Sequence, residues 1–145
     1  MEILLKSWNE AEVDAFLVRQ EVFILEQGVP AELDLDELDS SAAHILAYQD
    51  THCIGTGRLV NLSDKQAQIG RMAVLAQFRE KGVGKQILQK LVDLAASQGA
   101  REIILHSQVS AIPFYEKLGF QAQGDVYDEA GIPHRNMMLT LENSD

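Results

Sequence analysis

An apolar run, Met72-Ala73-Val74-Leu75, leads into Arg79-Glu80-Lys81-Gly82-Val83-Gly84, and an amphipathic helical pattern opens at Lys85. A strand, a glycine-bearing loop and a helix start therefore follow one another directly. That succession suits an anion: the free N–H groups of a helix's first turn point outward, and the helix dipole favours negative charge there. The glycines let the backbone turn sharply and approach a phosphate with no Cβ in the way. Spacing excludes two common phosphate loops. A Walker loop needs glycine where Arg79 stands and Ser or Thr where Gln86 stands. A dinucleotide fingerprint needs a further glycine at Ile87, within an early βαβ unit. On the residues alone, the glycines either hold some other phosphate or only turn the chain.

Around this loop the pattern alternates helix and strand. Ile3–Leu5 reads as a short strand. A helix follows from about Glu10 to Leu25, with Asn9 and Glu12 as a capping box and Val13, Phe16, Leu17, Gln20, Phe23 and Ile24 at helical spacing. Gly28-Val29-Pro30 breaks it. His44–Gln49, Cys53–Asn61 and Gln66–Leu75 are strand-like, joined by turns too short for crossovers, so they form an antiparallel meander. Ile87, Leu88, Leu91, Val92, Leu94 and Ala95 make the apolar face of the next helix, which Gly99 ends. Glu102–His106 is a buried-type strand, a short helix runs from Ser110 to Leu118, and Phe120–Tyr127 with Asn136–Leu141 form a last strand pair. The order is β-α-(α)-β-β-β-α-β-α-β-β, and the 145 residues are expected to form a single domain, 1–145.

Charge is distributed unevenly. The formal net charge of −10 argues against nucleic acid as a partner. Residues 26–39 hold Glu26, Glu32, Asp34, Asp36, Glu37 and Asp39 with no Lys or Arg. Residues 71–90 hold Arg71, Arg79, Lys81, Lys85 and Lys90 against Glu80 alone. The most basic window thus coincides with the glycine loop. The N-terminal apolar run is too short for a signal peptide and no stretch suits a membrane helix, so a cytoplasmic location is expected. One cysteine, Cys53, and four scattered histidines give no metal-ligand spacing, so no metal is expected.

The stretch Val74–Gly84 resembles the acetyl-CoA signature of the GNAT acetyltransferase superfamily, with Ala76 where proline is usual. Phe114-Tyr115-Glu116-Lys117-Leu118-Gly119-Phe120 resembles its second motif. Glu21–Pro30, Asp36-Glu37-Leu38-Asp39, His44, Leu105-His106-Ser107-Gln108 and Gly131-Ile132-Pro133-His134 are similar to the ElaA-like branch. The resemblance implies an α/β (α+β) fold: a mixed, mostly antiparallel central sheet with helices on both faces. It implies acetyl-CoA as co-substrate, held by Met72, Ala73, Val74, Arg79, Glu80, Lys81, Gly82, Val83, Gly84, Lys85, Gln108 and Phe114. It also implies direct transfer to a small-molecule or peptide amine. The alternative is a non-catalytic acyl-CoA-binding or sensor module. Exposed final strands would permit a homodimer.

The chemistry such a transfer demands selects further residues. An alkylamine has a pKa of about 10.4, so freeing its lone pair at pH 7 costs about 4–5 kcal/mol and needs a proton acceptor. The departing thiolate needs a donor, and Tyr115 matches the superfamily's general acid. Many relatives place a basic glutamate where Gly70 stands, so that base does not carry over. Candidates for the base or the substrate side are His134 and Glu26, with Asp36, Asp39 and His44 expected on the substrate side. His106 and Cys53 read as structural. An acidic lip over residues 26–39 would favour a cationic acceptor.

Overall fold

The structure, a computed structural model, describes residues 1–141; the end of the expected 1–145 domain lies outside the described residues. Seven strands form one sheet in the order β1-β2-β3-β4-β5-β7-β6. They are β1 (Glu2–Lys6), β2 (Ala43–Gln49), β3 (His52–Asn61), β4 (Gln66–Val74), β5 (Glu102–Gln108), β6 (Gln121–Glu129) and β7 (Ile132–Thr140). Every pairing is antiparallel except β4 with β5. The helices are α1 (Trp8–Arg19), α2 (Ala31–Asp34), α3 (Val83–Ser97) and α4 (Ile112–Glu116). The expected meander is present, as is the final strand pair, whose strands run longer than the apolar pattern suggested. The hairpin turns on Ala130 and Gly131, both with left-handed φ (55° and 80°). α3 begins at Val83 rather than Lys85, because Gly82 at φ 82° sets the turn immediately before it.

The two long helices lie on opposite faces. Neighbouring strand residues point to opposite sides. On β3, Arg58 shares Asp39 with Arg19 of α1. A Cβ on Gly57 would instead meet Leu91 and Ile87 of α3 at 2.9 and 3.1 Å. Glycine there lets α3 lie directly on the sheet, burying Val83, Ile87, Leu88, Leu91 and Ala95. α1 corrects its predicted face. Its buried residues are Ala11, Ala15, Val18 and Arg19, while Val13 and Leu17 are exposed. Small alanines allow a close approach that larger side chains would prevent, and apolar bulk was the wrong guide. The cap also lies earlier: the N–H and hydroxyl of Ser7 both donate to Glu10. From Gln20 to Glu26 the helix widens to π geometry, and the N–H of Gln27 reaches the carbonyl of Val22 at 3.1 Å.

β4 and β5 pair only over Gln66–Gln68 and Glu102–Ile104, then part. The cause lies on the other edge of β4. Thr56 pairs with Ala73 and Arg58 with Gly70, so Gly57 alone faces Arg71 and Met72. Two residues opposite one make a bulge, which bends the strand that carries it. Arg71 takes φ 53° there. Among the described residues, no helix is long and apolar enough to cross a membrane.

Candidate active site

Where β4 and β5 part, two cavities open against one wall. The first, about 660 Å³, is lined by Met72–Val74, Phe78–Glu80, Gly82–Lys85, Phe114, Tyr115, Lys117 and Leu118. The second, about 590 Å³, runs between the π-helical segment, the Pro30–Asp39 segment and the ends of β4, β5 and β7. Met72, Ala73, Val74, Arg79, Ala111 and Tyr115 line both.

The first cavity is built on backbone. The first intrahelical bond of α3 runs from Gln86 N–H to the carbonyl of Gly82 at 3.1 Å. Among the described residues, the N–H groups of Glu80 to Lys85 have no hydrogen-bond acceptor. A helix start with free donors beside Lys85 fits an anion. β4 contributes edge backbone below it. Leu75 N–H donates to Ile54 on β3, and the guanidinium of Arg79 donates to the carbonyl of Val74 at 2.9 Å. Peptide groups alternate sides along a strand, so the N–H of Val74 faces the gap.

The second cavity has a charged floor that closes on itself. Arg19 donates to Asp34 and Asp39 at 3.1 and 2.8 Å. Arg58 forks onto Asp36 at 2.6 and 2.9 Å and also reaches Asp39. Arg71 donates to the carbonyls of Leu33 and Asp34 and to Asp36 at 3.1 Å. Burial alone would raise the carboxyl of Asp39; Arg19 first, then Asp36 N–H and Arg58, outweigh it and hold it at about 2. Glu26 is likewise matched, by both terminal nitrogens of Arg79 at 2.6 and 2.7 Å.

At the shared wall, Tyr115 is buried between Phe114 and Phe120, at ring-centroid distances of 5.0 and 5.9 Å. Burial pushes its phenol up to about 12. Among the described residues its hydroxyl has no hydrogen-bond partner. Across the second cavity, buried His134 donates from Nδ1 to the carbonyl of Ile132 at 2.8 Å, taken as a neutral ring. That bond fixes the tautomer and leaves Nε2 bare.

A family profile, the Acetyltransferase (GNAT) domain, matches residues 5–141. The chain belongs to the GNAT acetyltransferase family. Its class is therefore acyltransferase. It is 42% identical over 132 residues to YjcF of Bacillus subtilis, an uncharacterised N-acetyltransferase, covering 90% of this chain and 94% of that one. Against ElaA of Escherichia coli the identity is 30% over 124 residues, covering 83% and 81%. The crystal structure of that ElaA superposes with a TM-score of 0.85 over 95% of this chain and 99% of the other. An aminoglycoside 6'-N-acetyltransferase complexed with coenzyme A shares the fold at 15% identity, with a TM-score of 0.78 over the whole of both chains.

Within this GNAT fold the predicted site residues divide. Met72, Ala73, Val74, Arg79, Glu80, Gly82, Val83, Gly84, Lys85 and Phe114 line the first cavity together. Lys81 does not line it; its ammonium lies 5.9 Å from the Phe78 ring centroid. Gln108 lies on the second cavity, donating to Gln27 at 2.8 Å. Arg79 holds Glu26 and the Val74 carbonyl, so its side chain is engaged within the protein. Glu26, lowered chiefly by that hydrogen bond, is a poor proton acceptor. Asp36 lines the second cavity, but Asp39 and His44 are buried below it. His44 is lowered by burial first, contacts the Asp39 carbonyl at 2.9 Å and packs on Trp8. Within the expected acidic lip, Glu26, Asp34, Asp36 and Asp39 are each paired with arginine, while Glu32 and Glu37 are exposed. Sequence reading missed Arg19 and Arg58, which no local pattern marks, and Glu129, which the Ala130-Gly131 turn carries back toward His134.

Proposed function

We propose that the protein transfers an acetyl group from acetyl-CoA directly to a primary amine, with Tyr115 as general acid and His134 as general base. The observation that carries this reading is the place of Tyr115, in the wall common to both cavities. A donor in one cavity and an acceptor in the other would meet beside its hydroxyl. The free N–H groups of Glu80–Lys85 fit the pyrophosphate of CoA, and Met72–Val74 offer edge backbone for its pantetheine arm, as to an added strand. Bound there, acetyl-CoA supplies an activated thioester carbonyl.

The chain's own groups then divide the work. His134 Nε2, bare in its fixed tautomer, removes a proton from the acceptor ammonium, directly or through water. The N–H of Val74 binds charge developing on the carbonyl oxygen. Tyr115, protonated at neutral pH, donates to the leaving sulfur and regains a proton from the new amide nitrogen. The reaction balances as ammonium plus thioester giving amide, thiol and one proton. Direct transfer is favoured because Cys53 is buried in β3 and burial pushes its thiol up to about 11. The acceptor is a primary amine. The paired floor offers no net negative charge to a second cation, so a cationic body is not required.

Thiol release from acetyl-CoA across a panel of primary amines tests the proposal. Release with at least one amine, lost in Tyr115→Phe, is the expected result. Binding of acetyl-CoA without release on any amine would leave a non-catalytic acyl-CoA module instead.

A further inference from the structure

We infer that Glu129 is a positioning carboxylate for proton removal, set between His134 and His106, and that this trio is the way out for the proton taken from the acceptor. The inference rests on the reading of His134 as base.

The hairpin builds the arrangement. The turn at Ala130 and Gly131 sets Glu129 opposite Ile132, whose carbonyl already holds His134 Nδ1. Glu129 Oε1 then lies 3.0 Å from Nδ1 of His106 on β5, and Oε2 lies 3.6 Å from Nε2 of His134. The ring of Tyr127 props both imidazoles, stacked at 6.2 Å on His134 and edge-on at 6.1 Å to His106. All three residues of the trio line the acceptor cavity.

The two contacts of Glu129 differ in kind. His106 Nδ1–H can donate to Oε1 while the ring stays neutral. Nε2 of neutral His134 carries a lone pair, and a carboxylate 3.6 Å away offers another. Two acceptors face each other, and nothing binds them until Nε2 gains a proton. The contact then becomes an ion pair across 3.6 Å. The trio is thus complementary to the protonated base, the state formed as the amine is freed. In that step the N–H bond of the ammonium breaks, its electron pair stays on nitrogen, and the Nε2–H bond forms. Glu129 and His106 are both partly exposed, so water can take the proton onward.

Other charges facing this end are self-contained. Arg58, Arg71, Asp34 and Asp36 across the cavity pair with one another, and Arg79 pairs with Glu26. Tyr115 is uncharged at neutral pH. Glu129 is therefore the charged side chain that faces His134 Nε2 directly.

The test compares wild type, Glu129→Gln, Glu129→Asp and His134→Gln by the pH profile of kcat/KM and by NMR titration of the His134 imidazole. Removing the carboxylate disfavours the imidazolium, so in Glu129→Gln both the acid limb and the His134 midpoint should move about one pH unit lower. kcat should fall about tenfold, with the KM for acetyl-CoA unchanged and partial recovery in Glu129→Asp. A merely structural residue would not move the limb. An unmoved limb or an unmoved NMR midpoint in Glu129→Gln overturns the inference while leaving His134 as base. An acid limb that persists in His134→Gln removes His134 as base, and this inference with it.

Discussion

Along the first cavity, the donor side of the proposal, the N–H groups of Glu80–Lys85 have no partner among the described residues. In the acceptor cavity, by contrast, Arg58, Arg71, Asp34 and Asp36 hold one another. One half is a run of backbone donors whose geometry suits an anion. The other is a network whose charges are already matched. The first half should therefore be sensitive to backbone changes and tolerant of side-chain loss. The second should respond in stability as much as in rate, because a missing partner leaves a buried charge alone.

The largest expected effect tests the network. Asp39→Asn removes the carboxylate shared by Arg19 and Arg58, and breaking a buried pair costs about 3 kcal/mol. Urea unfolding at pH 7 measures it. The pH dependence has a definite sign. Asp39 is held at about 2, below the usual value of about 3.9, so its contribution is full above about pH 4 and is lost as pH falls through about 2. The stability gap between wild type and variant should close over that window. A constant gap would show that Asp39 acts by shape and not by charge.

Tyr115→Phe comes next and tests the wall between the halves. It keeps the packing on Phe114 and Phe120 and removes only the hydroxyl. kcat should fall by about 100-fold or more, while the affinity for acetyl-CoA, read by calorimetry, changes little. Because the phenol is raised to about 12 by burial, wild-type kcat should show no basic limb from Tyr115 below about pH 10. A near wild-type kcat in the variant would remove it from the acid role.

The same division explains what could be read from the sequence. The donor side is local: Gly82, Gly84 and the apolar run before them are contiguous, and the strand, loop and helix they specify recur in the structure with α3 starting slightly early. Tyr115 sits in a compact motif for the same reason. The acceptor side draws on α1, the segment around Asp36, β3, β4 and the β6–β7 hairpin. Arg19 and Asp39 meet across twenty positions, and His106 and Glu129 across twenty-three. No periodicity announces such meetings. The run of carboxylates from Glu26 to Asp39 gives no sign of its pairing, because the arginines that hold Glu26, Asp34, Asp36 and Asp39 come from elsewhere in the chain. Arg71 was illegible for another reason: a left-handed φ at a non-glycine residue follows from the bulge against Gly57, a tertiary feature.

The smallest effects sharpen the donor half. Gly82 adopts φ 82°, and a Cβ there would meet nothing within 4 Å, so any harm from substitution comes through the backbone. Gly82→Val forces a branched side chain into left-handed geometry, at about 1–2 kcal/mol, or lets the turn relax and misdirect the N–H groups of Val83, Gly84 and Lys85. Either way acetyl-CoA should bind about tenfold more weakly by calorimetry. Lys85→Ala keeps every one of those N–H groups and removes one solvated charge, so its loss should be about threefold and should shrink as salt rises. If Lys85→Ala proved more damaging than Gly82→Val, the donor half too would depend on side-chain charge, and the contrast between the two cavities would fail.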